Sequence, residues 1–328
     1  MGEEKILSNI MPIIILPLII AGAYILDILI GDPLGRYHPI CLIGALIDWL
    51  KKVAFKMFKS PLGLRLAGGI LALIVIFTTY KVTYVIAGLG WWAELVIIYF
   101  TLSIKSLLDH LDKVQTPLLD GKLEAARKNI GMIVGRDVSN LSEKEVSRAG
   151  IETGAESFCD GIMAPLFFAA IGGAPLAMVY KAVNTLDSMI GYNFNPYKDL
   201  GCFSARLDDV LNYIPARLSA FIFLLGGWIR GYNLSKAVEI KRKDAKKHPS
   251  PNAGQTESVM AGILEVRLGG FNYYNGEESF RSYMGGNERL PRASDLKQAM
   301  ELLKVSAHLA LILTIMISVL IGIIMTEF

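Results

Sequence analysis

The sequence predicts an all-α, polytopic integral membrane protein with about five to six membrane helices. One of these should be broken or re-entrant, and amphipathic helices should lie on the cytoplasmic side. Three observations carry this. The 328 residues are 53% hydrophobic, with mean hydropathy +0.44. Charged residues are 19%, below the roughly 25% of soluble domains. Several apolar runs approach the ~20 residues that a helix needs to cross a bilayer. The net charge of +3 and pI near 8.6 do not suggest a nucleic-acid partner. Cys41, Cys159 and Cys202 have no paired spacing, so neither a zinc knuckle nor a disulfide framework is expected.

Ile10 to Ile30 is the first apolar run, and Pro12 and Pro17 sit near its start, where a helix tolerates them. It ends at Gly31-Asp32-Pro33. Asp27, Asp32 and His38-Pro39 gather at that end, either as a solvated exit or as the mouth of a site. Residues 34–63 read as a loop with an amphipathic helix, with Trp49, Val53 and Phe58 toward lipid and Lys51, Lys52, Lys56 and Lys59 toward water. That lysine excess places the loop in the cytoplasm and the amino terminus outside. Leu64–Ala87 and Trp91–Leu108 are the next spans, joined by a tight hairpin at Gly88 to Gly90.

Residues 109–158 read as extramembrane helices. Asp120 offers an N-cap for the first. Ser142 with Glu145 forms a capping box for the second, with Leu141 and Val146 as its staple. Gly161–Tyr180 is apolar but interrupted by Pro165, Gly172-Gly173 and Pro175. Such breaks are tolerated at membrane depth where they are buried or line a cavity. Two re-entrant arms or one full span both fit, and the return is preferred. Ile214–Tyr232 is a further apolar run, followed by a basic stretch from Lys236 to Lys247. Residues 233–301 read as a second extramembrane segment, in which SPNAG (250–254) precedes a helix that should end at Arg267-Leu268-Gly269-Gly270. Leu302–Met325 is the last span. The whole of 1–328 reads as one membrane-embedded domain.

The chemistry concentrates between residues 135 and 217. Arg148, Glu152, Glu156 and Asp160 are each four apart, one slowly rotating stripe on a helix. Lys181, Asn184 and Asp187 follow, then Arg206, Asp208, Asp209 and Arg217. Paired carboxylates with amide oxygens suit Mg²⁺, a hard ion that takes oxygen ligands. Arginine pairs well with phosphate. Ionisable groups near hydrocarbon are costly, which favours a functional reading. The sequence has no P-loop, no H-E-x-x-H, no C-x-x-C and no dinucleotide fingerprint, so neither zinc nor a nicotinamide is expected. The residues alone leave two classes open: an interfacial site for phosphate and Mg²⁺, or a transporter of an anionic solute, whose broken helices would carry the site.

Several blocks resemble one family. GRDVSNL (135–141), ETGAESFCDGIMAPLFF (152–168), NTLDSMIGY (184–192), ARLDDVLNYIPAR (205–217), SPNAG (250–254) and RLGG (267–270) are similar, in order, to cobalamin-biosynthesis proteins of the CobD/CbiB type, the cobinamide (phosphate) synthases. The resemblance implies an amide-forming ligase that joins aminopropanol, or its O-phosphate, to a propionate of adenosylcobyric acid, using ATP and Mg²⁺. It implies Glu152, Glu156, Asp187 and Asp208 as catalytic carboxylates. It implies Asp160, Asp208 and Asp209 as metal ligands. Arg136, Lys181, Asn184, Arg206, Arg217 and Asn252 would contact substrate and phosphate. The active site would face the cytoplasm at the cell membrane, with a corrinoid as substrate, lipid as surroundings and other corrinoid-pathway enzymes as partners. A transporter of a corrinoid or other anionic solute is the competing reading.

Overall fold

A computed structural model describes residues 2–327 apart from Asn275 and Asn287. Its helices are α1 (Gly2–Ile30), α2 (Pro39–Met57), α3 (Pro61–Ala87), α4 (Trp91–Tyr99), α5 (Ile104–Leu119), α6 (Leu123–Ile130), α7 (Glu143–Phe158), α8 (Ala164–Ile190), α9 (Tyr197–Leu200), α10 (Cys202–Leu211), α11 (Tyr213–Ile229), α12 (Leu234–Asp244), α13 (Ala253–Leu264) and α14 (Ala293–Glu327). A π-helical turn, Cys159–Met163, links α7 to α8. Strands β1 (Leu268–Tyr274) and β2 (Glu277–Met284) form an antiparallel hairpin.

Among the described residues, five helical stretches are long and apolar enough to cross a membrane, or six if the bent pair α10–α11 counts as one span. Pro61–Ala87 has mean hydropathy 2.0 yet is only 28% buried, and Ala293–Thr326 has 2.7 and 17%. Leu66, Ile70, Leu73, Phe77 and Val85 of α3 all lie open. A contiguous apolar surface of this kind belongs against lipid. The mainly helical, multi-pass class is as expected.

The chain forms two compact units, each assembled from segments distant in sequence. The first contains residues 1–103, 164–212 and 311–328. There α3 packs against α8, and α2 against both. Ile47, Leu71, Val75, Leu186 and Ile190 form its core. At Gly68 the backbone of α3 meets Leu200, where an added Cβ would lie 1.9 Å from the Leu200 carbonyl oxygen. Helix α8 breaks at Gly172 and Gly173, the latter with φ +62°. The Ala174 N–H freed by that break donates to Glu94 Oε1 of α4 at 3.3 Å. The backbone polar group is thus satisfied from a neighbouring helix, as hydrocarbon requires.

The second unit contains residues 104–163 and 213–310. Helix α7 begins at the expected capping box: Ser142 Oγ accepts from Glu145 N, and Glu145 Oε2 accepts from Ser142 N at 2.8 Å. Leu141 and Val146 are both buried. Two local expectations are corrected. Asp120 does not cap α6, which starts after Lys122; the Asp120 carboxylate pairs with Lys122 at 3.0 Å instead. Helix α13 ends at Leu264, not at Arg267-Leu268-Gly269-Gly270. Glu265 takes the left-handed cap, with φ 53°. Gly269 and Gly270 lie in β1 at positive φ, where the strand register is irregular. Glycine is needed there because the bulged backbone turns its groups toward α7.

Candidate active site

In the second unit a buried polar cluster connects α7 to the hairpin. Arg136 donates through Nη2 to Glu152 Oε2 and through Nη1 to Asn272 Oδ1, both at 2.5 Å. Glu152 Oε1 accepts from Gly269 N at 2.8 Å. Arg148, one turn before Glu152, donates to the Gly269 carbonyl, to the Phe271 carbonyl at 2.9 Å and to Asn272 Oδ1 at 3.0 Å. Both Glu152 oxygens and both Arg136 terminal nitrogens are therefore engaged within the protein. Glu156, the next stripe residue, is different. Its side chain is exposed.

Glu257 of α13 and His248 complete this cluster, with Nε2 and Oε1 at 3.7 Å and both side chains buried. Burial, and then the neighbouring Glu152 and Glu156, push the Glu257 carboxyl well above its ordinary range, against the pull of Arg281 and Arg136. Burial lowers His248. Arg281 of β2 loses solvent too, but Tyr274, Glu257, Glu156 and Glu152 together hold its charge more firmly than usual. Arg217 of α11 stacks on Tyr213 at 3.3 Å and reaches Asn252 Oδ1 at 3.4 Å. The π turn that follows α7 carries Asp160; such turns recur at functional sites.

The first unit holds a second polar group on α8 and α10. Asp208 accepts from Asn184 Nδ2 at 3.4 Å and from Asn212 Nδ2 at 3.0 Å. Asn212 Oδ1 in turn accepts from the Tyr180 hydroxyl at 2.9 Å. Asp187 is near enough to act on Asp208 electrostatically. Lys181, one turn before Asn184, acts in the same way on His38, as does Asp32. Burial lowers His38, Asp32 opposes that, and Lys181 adds to it.

The structure thus brings Arg136 together with Glu152, Arg217 with Asn252, and Asn184 with Asp187 and Asp208. Arg136, Glu152, Glu156, Asp160, Arg217 and Asn252 belong to one unit; Lys181, Asn184, Asp187, Arg206, Asp208 and Asp209 belong to the other. Arg206 is exposed and Asp209 half-buried on α10. Among the described residues no group of three or more His, Cys, Asp and Glu is placed to hold a metal ion. Sequence reasoning missed Asn272, Arg281 and His248. The Asn-Gly pair at 275–276, set between Phe271-Asn272-Tyr273-Tyr274 and Glu277-Glu278-Ser279-Phe280, was the signal for a hairpin and hence for the first two.

The profile of the family described as CobD/Cbib protein matches residues 20–303. A protein named cobalamin biosynthesis protein CobD from Clostridium perfringens is 42% identical over 302 residues, 90% of this chain and 95% of the relative. Cobalamin biosynthesis protein CbiB from Salmonella typhimurium is 39% identical over 301 residues, 89% and 94%. The CobD protein of Leptospira interrogans is 37% identical over 310 residues, 91% and 96%. No solved structure matches. The match covers all the segments that build both polar groups, and the chain belongs to the CobD/CbiB family.

Proposed function

We propose that this protein is a membrane-bound, amide-forming ligase of cobalamin biosynthesis. It joins aminopropanol, free or as its O-phosphate, to a propionate of adenosylcobyric acid, with ATP and Mg²⁺ as co-substrate and metal. The observation that carries the reading is the family match over residues 20–303, together with relatives named for cobalamin biosynthesis. An amide does not form from a free carboxylate and an amine in water without activation; ATP supplies that activation.

The polar groups fit these ligands in kind. Mg²⁺ keeps several waters and takes one or two carboxylates beside phosphate oxygens. Asp187, Asp208 and Asn184 provide that number of oxygens without a dedicated protein cage. Asp209 is a further oxygen donor in the same unit, and Asp160 is an oxygen donor in the other. Lys181 and Arg206 in the first unit and Arg217 in the second are the cations proposed for phosphate, whereas Arg136 is bound on both sides by Glu152 and Asn272. Glu152, so fixed, orients the cluster, and Glu156 is the carboxylate that meets solvent. Catalysis then consists of positioning and charge stabilisation. The lysines of α2 favour the cytoplasmic face of the cell membrane for the first unit's polar group.

The test is an assay of the protein purified in detergent with adenosylcobyric acid, aminopropanol phosphate, ATP and Mg²⁺, the product read by mass. Formation of the amide only when all four are present is the expected result. Corrinoid movement across proteoliposomes without an amide product would overturn the reading in favour of transport.

A further inference from the structure

His248 and Glu257 have chemistry that the residue roles above leave unused. His248 lies between α12 and α13, and Glu257 in the second turn of α13; their side chains are 4% and 1% exposed. His248 Nε2 faces Glu257 Oε1 at 3.7 Å, and neither atom has a hydrogen-bond partner. A buried carboxylate oxygen and a buried ring nitrogen are rarely left in this state, since each has lost its water. A single proton held between them satisfies both.

The other ring nitrogen explains how the proton can move. Nδ1 lies 3.1 Å from both the Ser250 N–H and the Ser250 carbonyl. It has a partner whether it accepts or donates. The ring can therefore carry its proton on either nitrogen without turning, and Nε2 is correspondingly donor or acceptor toward Glu257. Around the pair stand Glu152 and Glu156 from α7, Arg136 from the preceding loop and Arg281 from β2. Of these carboxylates Glu156 is the one that reaches solvent.

We propose that His248 and Glu257 hold one exchangeable proton between them and serve as the proton acceptor for the amine substrate, by way of Glu156. This rests on the ligase reading. An alkylammonium loses two protons on becoming an amide N–H. Its nitrogen lone pair forms the bond to the activated acyl carbon, and the bond from that carbon to the leaving oxygen breaks with its electron pair. One proton departs with that oxygen. The pair takes the other and returns it to solvent through Glu156 before the next turnover. Burial lifts the Glu257 carboxyl in the direction that a general base working near neutral pH requires.

Two measurements on the full-length protein in detergent test this. In pH-difference infrared spectra, a protonated-carboxyl band should titrate well above the ordinary 4.5 of a glutamate, vanish in E257Q and shift in H248Q. In the amide-forming assay, E257Q should lower kcat by about 100-fold or more with the KM for the amine little changed, and should remove the acidic limb of kcat against pH. H248Q should keep the limb and move its midpoint. A missing band, or a wild-type limb in E257Q, overturns the proposal. If E257Q does not fold, an unmoved limb in H248Q overturns it. If the wild-type protein forms no amide, the ligase reading and the acceptor role fall together, while the infrared band separately reports the shared proton.

Discussion

Arg136 Nη2 and Glu152 Oε2 lie 2.5 Å apart, with side chains 5% and 3% exposed. A charge pair so far from water is costly to split, because the partner left behind is a buried, uncompensated ion. Glu152 also accepts from Gly269 N, and Asn272 Oδ1 accepts from both Arg136 and Arg148. The pair is thus the centre of the contacts that hold the hairpin on α7. R136M and E152Q should each cost about 3–5 kcal/mol. The double variant should lose less than the sum, since neither charge then stands alone. N272A should cost about 1.5–3 kcal/mol and speed hydrogen exchange in β1. Thermal unfolding in detergent gives the first two figures and amide exchange over residues 268–274 the third. Additive losses, or a hairpin as protected as in wild type, would count against this account.

What could be read from the chain depended on how local the cause was. The spans were legible because a bilayer imposes a length and a composition. The start of α7 was legible because Ser142 and Glu145 meet within one turn. The stripe through Arg148, Glu152 and Glu156 was visible as spacing, but its meaning was not. Arg136 and Glu152 are tied to Asn272 and Gly269, more than a hundred residues on, and no periodicity announces such a partner. His248 gave no signal, since its relation to Glu257 exists only once α13 has folded. The task of Glu94, accepting the N–H freed at the break in α8, depends on a neighbouring helix and leaves no mark in the sequence around it.

Gly68 and Gly69 offer a paired test of the first unit. A Cβ on Gly68 would lie 1.9 Å from the Leu200 carbonyl oxygen, which is backbone and has little room to yield. A Cβ on Gly69, one residue on, would meet nothing within 4 Å. G68A should therefore cost about 1–3 kcal/mol or more through overpacking. G69A should be neutral or slightly stabilising, as alanine favours helix over glycine. Equal unfolding temperatures for the two variants would show that α3 does not approach Leu200 so closely.

Asp208 and Asp209 are adjacent but unequal. Asp208 is buried and bonded to Asn184 and Asn212, with Asp187 beside it. Asp209 is half-buried one step round the helix. Under the proposed function, D208A should lower kcat by about 100-fold or more and raise the Mg²⁺ concentration at half-maximal rate. D209A should do less on both counts. Titration of the amide-forming rate against Mg²⁺ for the three proteins decides the matter. A D208A enzyme with wild-type Mg²⁺ dependence removes Asp208 from the metal site.

The pH dependence of stability follows from Glu257 and His248, and their signs are opposite. The Glu257 carboxyl is raised above 4.5, so the native protein keeps a proton that the unfolded chain loses. Native protein binds more protons in that window, and its stability falls as pH rises from about 4.5 toward the raised value. His248 is lowered below 6.5, so the unfolded chain binds the proton first as pH falls. Its contribution is complete above about 6.5 and is lost as pH drops through that region. Unfolding temperatures measured across pH for wild type, E257Q and H248Q separate the two. Subtracting E257Q from wild type should leave a stability difference that declines with rising pH. Subtracting H248Q should leave one that rises and then levels off. If both differences are flat, neither group changes protonation on unfolding, and the buried pair has no hold on stability.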